Sequence, residues 1–194
     1  MRVVSGIAGG IPLIAPKTDL RPTMDRVKGA IFDSLGEGIV GSRVLDLFAG
    51  SGGLGIEALS RGAASATLVE KDALAVQAIH FNLTKTRLEG AIVQNLDIFS
   101  FIHKLAPAGG YDFILADPPY AKKQGERDFG VELLSDPAVA LALAPGGMFI
   151  LEKLPGSPLP KGTGWELIRE RRYGATAVAY FRRESGESAE SQSE

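Results

Sequence analysis

The chain has 194 residues, 45% hydrophobic and 23% charged, which suffices for the core of one domain with a small appendage. It has no cysteine and only two histidines, His80 and His103, which excludes disulfides, thiolate metal sites and histidine-based metal clusters. The net charge is −2, but residues 184–194 carry four glutamates and no basic residue, so the remainder has a balance of +2. We expect this Ser- and Glu-rich tail to be disordered, and the mildly basic remainder permits an RNA partner.

The sequence predicts neither a signal peptide nor a membrane span. Residues 1–4 lead into a glycine-rich stretch, and no window approaches the apolar length that crosses a bilayer. We therefore expect a cytoplasmic monomer that does not bind a membrane.

The first 40 residues predict an N-terminal extension of hairpin and helix. Residues 3–4 and 13–14 are expected to pair as a small hairpin around Gly9 and Gly10. Thr23 is a candidate cap for a helix over residues 24–35. This extension precedes a main domain that we place at residues 41–183.

Short apolar strands alternate with helices through that main domain. The predicted strands cover residues 44–48, 66–70, 91–95, 111–116 and 148–152. The predicted helices cover residues 56–61, 72–87, 98–105 and a stretch within 129–143 that Pro137 begins or breaks. Residues 165–169 and 177–181 flank Tyr173-Gly174 as an antiparallel hairpin. The alternation predicts an α/β fold with a mostly parallel sheet, covered on both faces, and this hairpin at its end.

A glycine-rich turn follows the first of these strands. Gly50, Gly52 and Gly55 form a G-x-G-x-x-G pattern that opens a helix, where glycine lets a ligand approach the backbone closely. Glu70 ends the second strand twenty residues after Gly50, where a carboxylate would hold ribose hydroxyls. These features fit either NAD or S-adenosylmethionine (SAM).

Two further carboxylates favour SAM. Asp46 lies inside the first strand, where it could meet the amino end of an amino-acid-like cofactor, and residues 44–52 read VLDLFAGSG, a signature of SAM enzymes. Asp97 follows the third strand and could accept a hydrogen bond from an adenine amino group. The alternatives are a loop-organising carboxylate for Asp46 and a helix N-cap for Asp97.

The segment Asp117-Pro118-Pro119-Tyr120 follows the fourth strand directly. Two prolines cannot continue a strand ladder, so the segment leaves the sheet as a stiff loop carrying a carboxylate, free carbonyls and an aromatic ring. Acceptors beside a flat ring suit a planar group that bears an NH₂. This DPPY pattern is typical of methyltransferases acting on exocyclic or amide nitrogens, although a Pro-Pro pair alone is often only a rigid turn.

Together with their flanks, these motifs resemble the RsmD family, bacterial guanine-N2 methyltransferases of 16S ribosomal RNA. The resemblance is carried by residues 21–27 (RPTMDRV), 44–63, 117–120 and 170–176 (ERRYGAT). It implies a Rossmann-like domain with a seven-stranded sheet, SAM as methyl donor and S-adenosylhomocysteine as product. The implied substrate is one guanosine of 16S rRNA, free or within a 30S assembly particle, and the implied chemistry requires no metal.

Residue roles follow from the same resemblance. The implied cofactor-binding residues are Asp46, Phe48, Gly50, Gly52, Glu70, Lys71 and Asp97. The implied catalytic residues, which hold the base, are Asp117, Pro118 and Tyr120. The implied lid and RNA-binding residues are Arg21, Thr23, Asp25, Arg26, Lys122, Lys123, Arg171 and Arg172.

The chain departs from the family pattern in its extension. Residues 6–12 contain no Arg or Lys where the family is commonly basic, and Lys28-Gly29 stands where Arg-Glu is common. We therefore expect Arg127 and the lysines and arginines named above to supply more of the attraction to phosphate.

Four other functions remain open from the residues. The nearest is an adenine-N6 methyltransferase on RNA or DNA, although a DNA enzyme would normally need a larger recognition region. Protein glutamine methylation is disfavoured, because such enzymes generally carry Asn at the Asp117 position. A SAM- or RNA-binding module without catalysis and an NAD oxidoreductase are the remaining interpretations.

Overall fold

Seven strands form one sheet in the computed structural model, which describes residues 1–15, 24–121, 125–160 and 162–184, without the Met24 side chain. The strands are β1 Arg43–Leu47, β2 Ser65–Val69, β3 Ala91–Gln94, β4 Tyr111–Ala116, β5 Leu143–Lys153, β6 Trp165–Tyr173 and β7 Thr176–Arg183. Their order across the sheet is β3-β2-β1-β4-β5-β7-β6. The pairs among β1 to β5 are parallel, whereas β7 runs antiparallel to both of its neighbours.

Helices cover both faces of this sheet. They are α1 Met24–Leu35, α2 Gly53–Ser60, α3 Ala73–Thr86, α4 Ile98–Lys104, α5 Phe129–Ser135 and α6 Pro137–Ala142, with a 3₁₀ turn at Gly36–Ile39. Apolar residues of α1, α2 and α3 pack with Val44, Leu115 and Ile150 of the sheet. Those of α4, α5 and α6 pack against the opposite face, where Leu45 and Phe149 lie. Alternation along each strand therefore divides the core into two layers.

The fold class predicted from the sequence is confirmed: this is a Rossmann-like α/β fold with a C-terminal antiparallel hairpin. Pro137 begins α6 at its first position, and the predicted cap of α3 is present, since Asp72 accepts from the N–H groups of Leu74 and Ala75. Each of these elements was signalled by a residue within or directly beside it.

Two elements begin at least three residues earlier than predicted. Helix α2 begins at Gly53, three residues early, because glycine lets the helix lie directly on β2: a Cβ at Gly55 would come within 2.8 Å of Leu68 Cγ. Strand β5 begins at Leu143 and therefore includes residues 145–147, which were predicted to form a turn. Its pairing with β4 is irregular at that point.

The described part of the extension, residues 1–15, forms a looser hairpin than predicted. Its pairing is an isolated bridge between Arg2 and Pro12, supported by backbone hydrogen bonds such as Val3 N–H to Ile11 O (3.0 Å). Val3 and Leu13 pack on Ile56 of α2 in a small third core. The segment is therefore anchored to the main domain, while the predicted Thr23 cap and residues 185–194 lie outside the described residues.

Buried polar residues of α2 hold this extension in place. The Glu57 carboxylate, fully buried, accepts the N–H groups of Val4 (2.7 Å) and Ser5 (3.0 Å) and pairs with Arg61 (2.8 Å). The Ser60 hydroxyl donates to Ser5 O and accepts from the N–H of Ala8. These bonds satisfy backbone groups that burial would otherwise leave unpaired.

Within the described ranges, no helix is both long enough and apolar enough to cross a membrane.

Candidate active site

A cavity of about 280 Å³ opens at the carboxyl ends of β1, β2, β4 and β5. This is the edge where ligands bind in open α/β sheets. Its lining includes four carboxylate side chains, from Asp46, Glu70, Asp117 and Glu152, and the glycine-rich turn after β1. Lys28 and Lys71 also line it, so acidic side chains outnumber basic ones and the cavity favours a cationic ligand or a cluster of hydrogen-bond donors over phosphate.

Asp46 is the buried carboxylate of this set, with 1% of its surface exposed. Its Oδ2 accepts the N–H of Gly55 at 2.8 Å, whereas Oδ1 is buried without a hydrogen-bond partner among the described residues. The pKa of Asp46 is raised to about 7, chiefly by burial; the Gly55 N–H partly offsets this rise, and the charge of Glu70 contributes to it. An unpaired buried oxygen of this kind is costly unless a ligand supplies the missing donor.

The glycine-rich turn is held by Glu70. Its Oε2 accepts the N–H of Gly50 and its Oε1 accepts the N–H of Asp72, both at 2.9 Å. Asn95, just beyond β3, donates to the Glu70 carbonyl at 2.9 Å. The second lone pair of each carboxylate oxygen remains able to accept from ligand hydroxyls.

Phe48 enters this turn with φ +61°, in the left-handed region that a bulky residue rarely adopts. Its ring lies edge-on to Phe129 of α5, with centroids 5.1 Å apart. Gly50 (φ +55°) and Gly52 (φ +84°) complete the turn, and Gly52 caps α2. The strained backbone is therefore fixed by packing on one side and by Glu70 on the other.

The DPPY corner leaves the sheet at the end of β4. Ala116 pairs with Leu151 of the parallel strand β5, so the next residues, Asp117 and Glu152, stand side by side at the sheet edge. Asp117, Pro118, Pro119 and Glu152 all line the large cavity. The corner thus presents its carboxylate to the crevice that Asp46 and Glu70 share.

Tyr120 lies half-buried next to this cavity rather than in its lining. Its hydroxyl donates to Glu152 Oε1 at 2.8 Å and lies 2.7 Å from the Thr176 hydroxyl. Burial, followed by the charge of Glu152, raises the pKa of Tyr120. Tyr120 lines a second cavity of about 30 Å³, which shares Pro118, Pro119 and Glu152 with the first.

The remaining predicted cofactor residues divide into two groups. Lys71 lines the large cavity. Asp97 caps α4, since its side chain accepts from the N–H groups of Phe99 (3.1 Å) and Ser100 (3.2 Å). The N-cap interpretation of Asp97 therefore describes the role seen here, and an adenine contact stays a prediction.

Of the predicted RNA-binding residues, the structure describes Arg26, Arg171 and Arg172, and all three are exposed. Arg127 pairs with Glu132 and lies over the ring of Phe129, and its attraction to phosphate stays a prediction. Asp25 accepts the Arg2 N–H at 3.2 Å and lies 3.8 Å from the Lys28 amine. The predictions for Arg21, Thr23, Lys122 and Lys123 lie outside the described residues.

Sequence reasoning missed several cavity residues. Glu152 was not singled out, although a carboxylate at the end of a parallel strand is the signal that located Glu70. Met1, Lys28 and Ile31 of the extension also line the cavity. No local pattern marks these three, because only tertiary packing brings them to the sheet edge.

Lys28 links the extension to the cavity wall. It is buried, and its amine donates to Arg2 O at 2.6 Å and lies 3.5 Å from Glu57. Burial lowers its pKa, although the charge of Glu57 opposes this shift.

Asn82 of α3 joins the extension to the glycine-rich turn. Its side chain accepts from Ile14 N–H and donates to Ile14 O and Ser51 O, each at 2.9 Å. One buried amide thus connects the outer segment with the turn that faces the cavity.

Across the described residues, no three His, Cys, Asp or Glu side chains converge as a metal site.

Comparisons with known proteins cover nearly the whole chain. A family model described as conserved hypothetical protein 95 matches residues 1–182. Ribosomal RNA small subunit methyltransferase D of Escherichia coli K12 is 36% identical over 191 residues, covering 97% of this chain and 93% of that protein. The protein of the same name from Haemophilus influenzae is 32% identical over 184 residues, covering 93% of both. The solved structure of a hypothetical protein from Thermus thermophilus matches with a TM-score of 0.78 and 30% identity, covering 94% and 99% of the two chains.

Proposed function

The chain belongs to the family described as conserved hypothetical protein 95, the RsmD family that its motifs resemble, and we propose that it methylates the exocyclic N2 amine of a guanosine in 16S rRNA with SAM as donor. The observation that carries this proposal is the shared cavity. The Asp117 carboxylate, an acceptor for an NH₂ group, lines the same crevice as Asp46 and Glu70, the predicted cofactor ligands.

The charge of the cavity supports SAM over NAD. SAM carries an ammonium and a sulfonium centre, which the lining carboxylates would stabilise, whereas the pyrophosphate of NAD would meet a lining in which four carboxyl groups outnumber two lysines, Lys28 and Lys71. The N–H groups of Gly50 and Gly55, which could otherwise bind phosphate, already donate to Glu70 and Asp46.

The residues present fit the cofactor. The buried, unpaired Oδ1 of Asp46 would accept from its ammonium group, and Glu70 would accept from its ribose hydroxyls. SAM when bound supplies an electrophilic methyl group on sulfur. The protein's own residues would then hold the amine of the base in line with that methyl group and keep other nucleophiles away from it.

Presentation of the amine falls to the DPPY corner. Asp117 and the Pro118 carbonyl would accept hydrogen bonds from the two N–H groups of the amine. These bonds would turn the nitrogen lone pair toward the cofactor and stabilise the positive charge that develops on nitrogen. An aryl amine is a weak nucleophile, so this alignment carries most of the rate. Asp117 or water then takes the released proton.

The base must leave its stack or lie in a loop before it reaches this corner. Tyr120 would contact its face, a stacking contact of about 1–3 kcal/mol. Glu152 and Thr176 hold the Tyr120 ring in place, because both bind its hydroxyl. Exposed Arg171 and Arg172, near the carboxyl edge of the sheet, would attract the phosphates.

The decisive variant is Asp117→Ala, with Asp72→Ala, which removes an exposed helix cap outside the cavity lining, as control. We expect Asp117→Ala to abolish methyl transfer to small-subunit rRNA while SAM binding by titration calorimetry stays within a few-fold of wild type. Near-normal turnover in this variant would overturn the mechanism. Mass spectrometry of rRNA from a strain lacking the gene then identifies the product: one missing N2-methylguanosine supports the proposal, and one missing N6-methyladenosine supports the alternative target.

A further inference from the structure

Glu152 is the second carboxylate at the substrate corner, and its place follows from strand register. Leu151 pairs with Ala116, so Glu152 lies next to Asp117 across two parallel strands, roughly one strand spacing of 4.8 Å apart at the backbone. Both side chains line the large cavity. Two adjacent carboxylates present a pair of acceptors to the same ligand.

The two oxygens of Glu152 have different surroundings. Oε1 contacts the hydroxyls of Tyr120 (2.8 Å) and Thr176 (2.9 Å). The two hydroxyls also lie 2.7 Å from each other. Both therefore contact the same oxygen of Glu152, and together they orient the carboxylate. Oε2 makes no hydrogen bond with the residues that the structure describes, and a ligand donor can reach it without displacing a protein partner.

The neighbouring lysine does not neutralise this carboxylate. Lys153, the next residue along β5, is buried and donates to Glu170 on β6 at 3.0 Å. Successive strand residues point to opposite faces, which separates Lys153 from the cavity. Lys153 therefore forms its ion pair with Glu170 and not with Glu152. Glu152 faces the large cavity as a hydrogen-bond acceptor.

The Watson–Crick edge of guanine carries two adjacent donors, the N2 amine and N1–H. Adenine instead places an acceptor, N1, beside its N6 amine. Two neighbouring carboxylates match the first pattern and repel the lone pair of the second. We propose that Glu152 is a specificity-determining residue that accepts guanine N1–H while Asp117 accepts from the N2 amine.

This inference rests on the proposed function and deepens it, because it explains how the corner would select guanine. Buried acceptors left without a donor reject an analogue more strongly than apolar contacts do. A base that keeps the N2 amine but lacks N1–H isolates the contribution of Glu152 from that of Asp117.

The test compares RNA substrates carrying guanosine or 2-aminopurine ribonucleoside at the target position. 2-Aminopurine keeps the amine at C2 and has an unprotonated N1; it also lacks O6, so the change in preference caused by the Glu152 variant is the measure of the N1 contact. We expect wild type to prefer guanosine in kcat/KM by about 10- to 100-fold, the range of one hydrogen bond to a charged group. In Glu152→Gln the preference should shrink at least tenfold, because the glutamine amide can donate to the unprotonated N1.

Thr176→Val is the matched control. It removes a hydroxyl that contacts Glu152 Oε1 but keeps Oε2, the oxygen that would meet N1–H, so the preference for guanosine should shrink clearly less than in Glu152→Gln. If Glu152→Gln instead lowers kcat/KM for both bases equally, Glu152 only positions Tyr120 and the inference is overturned. A wild-type enzyme that does not discriminate between the bases overturns it without any variant.

Failure of the proposed function gives a different result. In that case wild type methylates no guanosine in small-subunit rRNA, although it still binds SAM in calorimetry. If guanosine is methylated but its preference over 2-aminopurine survives unchanged in Glu152→Gln, the proposed function stands and only the role of Glu152 is wrong.

Discussion

Replacing Asp46 with Asn should stabilise the cofactor-free protein and weaken its cofactor binding. The Asp46 pKa rises from an ordinary 3.8 to about 7 on folding, so the folded state holds this proton more tightly than the unfolded chain does. Stability is therefore lost as the pH rises from about 4 to about 7 and stays constant above. Asn does not ionise and escapes this loss.

The magnitude follows from the shift. At about 1.4 kcal/mol per pKa unit, ionising buried Asp46 costs the folded state roughly 4 kcal/mol at pH 8. Between pH 5 and pH 7 the unfolding free energy of Asp46→Asn should gain roughly 2–3 kcal/mol relative to wild type. The Asn side chain can still accept a hydrogen bond from the Gly55 N–H. If Asn packs less well than Asp at this position, the resulting change in the free energy of unfolding is the same at every pH.

Urea denaturation at several pH values measures this difference, with Trp165, the single tryptophan, as the fluorescent reporter. Trp165 is buried against Phe149 and Phe181, so unfolding changes its surroundings. Asp72→Asn is the control, because it makes the same chemical change at an exposed helix cap outside the cavity lining. A flat difference between pH 5 and 7 for Asp46→Asn would refute the assignment of the burial cost to this carboxylate.

Two further predictions concern the extension and the RNA surface. Gly6→Ala should destabilise the protein by roughly 2 kcal/mol or more beyond the effect of Gly10→Ala, as measured by urea denaturation. Both residues have positive φ, but only at Gly6 would a Cβ lie 1.9 Å from a backbone oxygen of α2. Equal losses would show that the extension does not dock as described. Replacing Arg171 and Arg172 with Ser should weaken RNA binding and flatten its salt dependence by about one slope unit per arginine, whereas Lys104→Ser, at the opposite edge of the sheet, should leave the slope unchanged. An unaltered slope in the double variant would remove these arginines from the RNA surface.

The sequence predicted the features that depend on neighbouring residues. The buried strands are short apolar runs, and the glycine turn and proline corner are defined by residues with restricted or unusual backbone preferences. These signals located the edge of the sheet where Asp46, Glu70 and Asp117 meet.

What sequence reasoning missed depends on contacts between distant segments. Glu57 looks like an ordinary helix glutamate, yet it is fully buried because the extension places backbone N–H groups above it. Glu152 became notable only when strand register set it beside Asp117. The early start of β5 likewise reflects pairing with β4, which overrides the local preference of Pro145 and its glycines for a turn.

The three bonds of Asn82 tie the outer segment and the glycine-rich turn to the same residue of α3. A partner that lifted residues near Ile14 from the surface would leave the Asn82 oxygen and one of its N–H groups without their protein partners, directly beside Ser51 of the cavity lining. The cost of exposing that buried amide therefore favours a docked outer segment whenever the glycine-rich turn is in place.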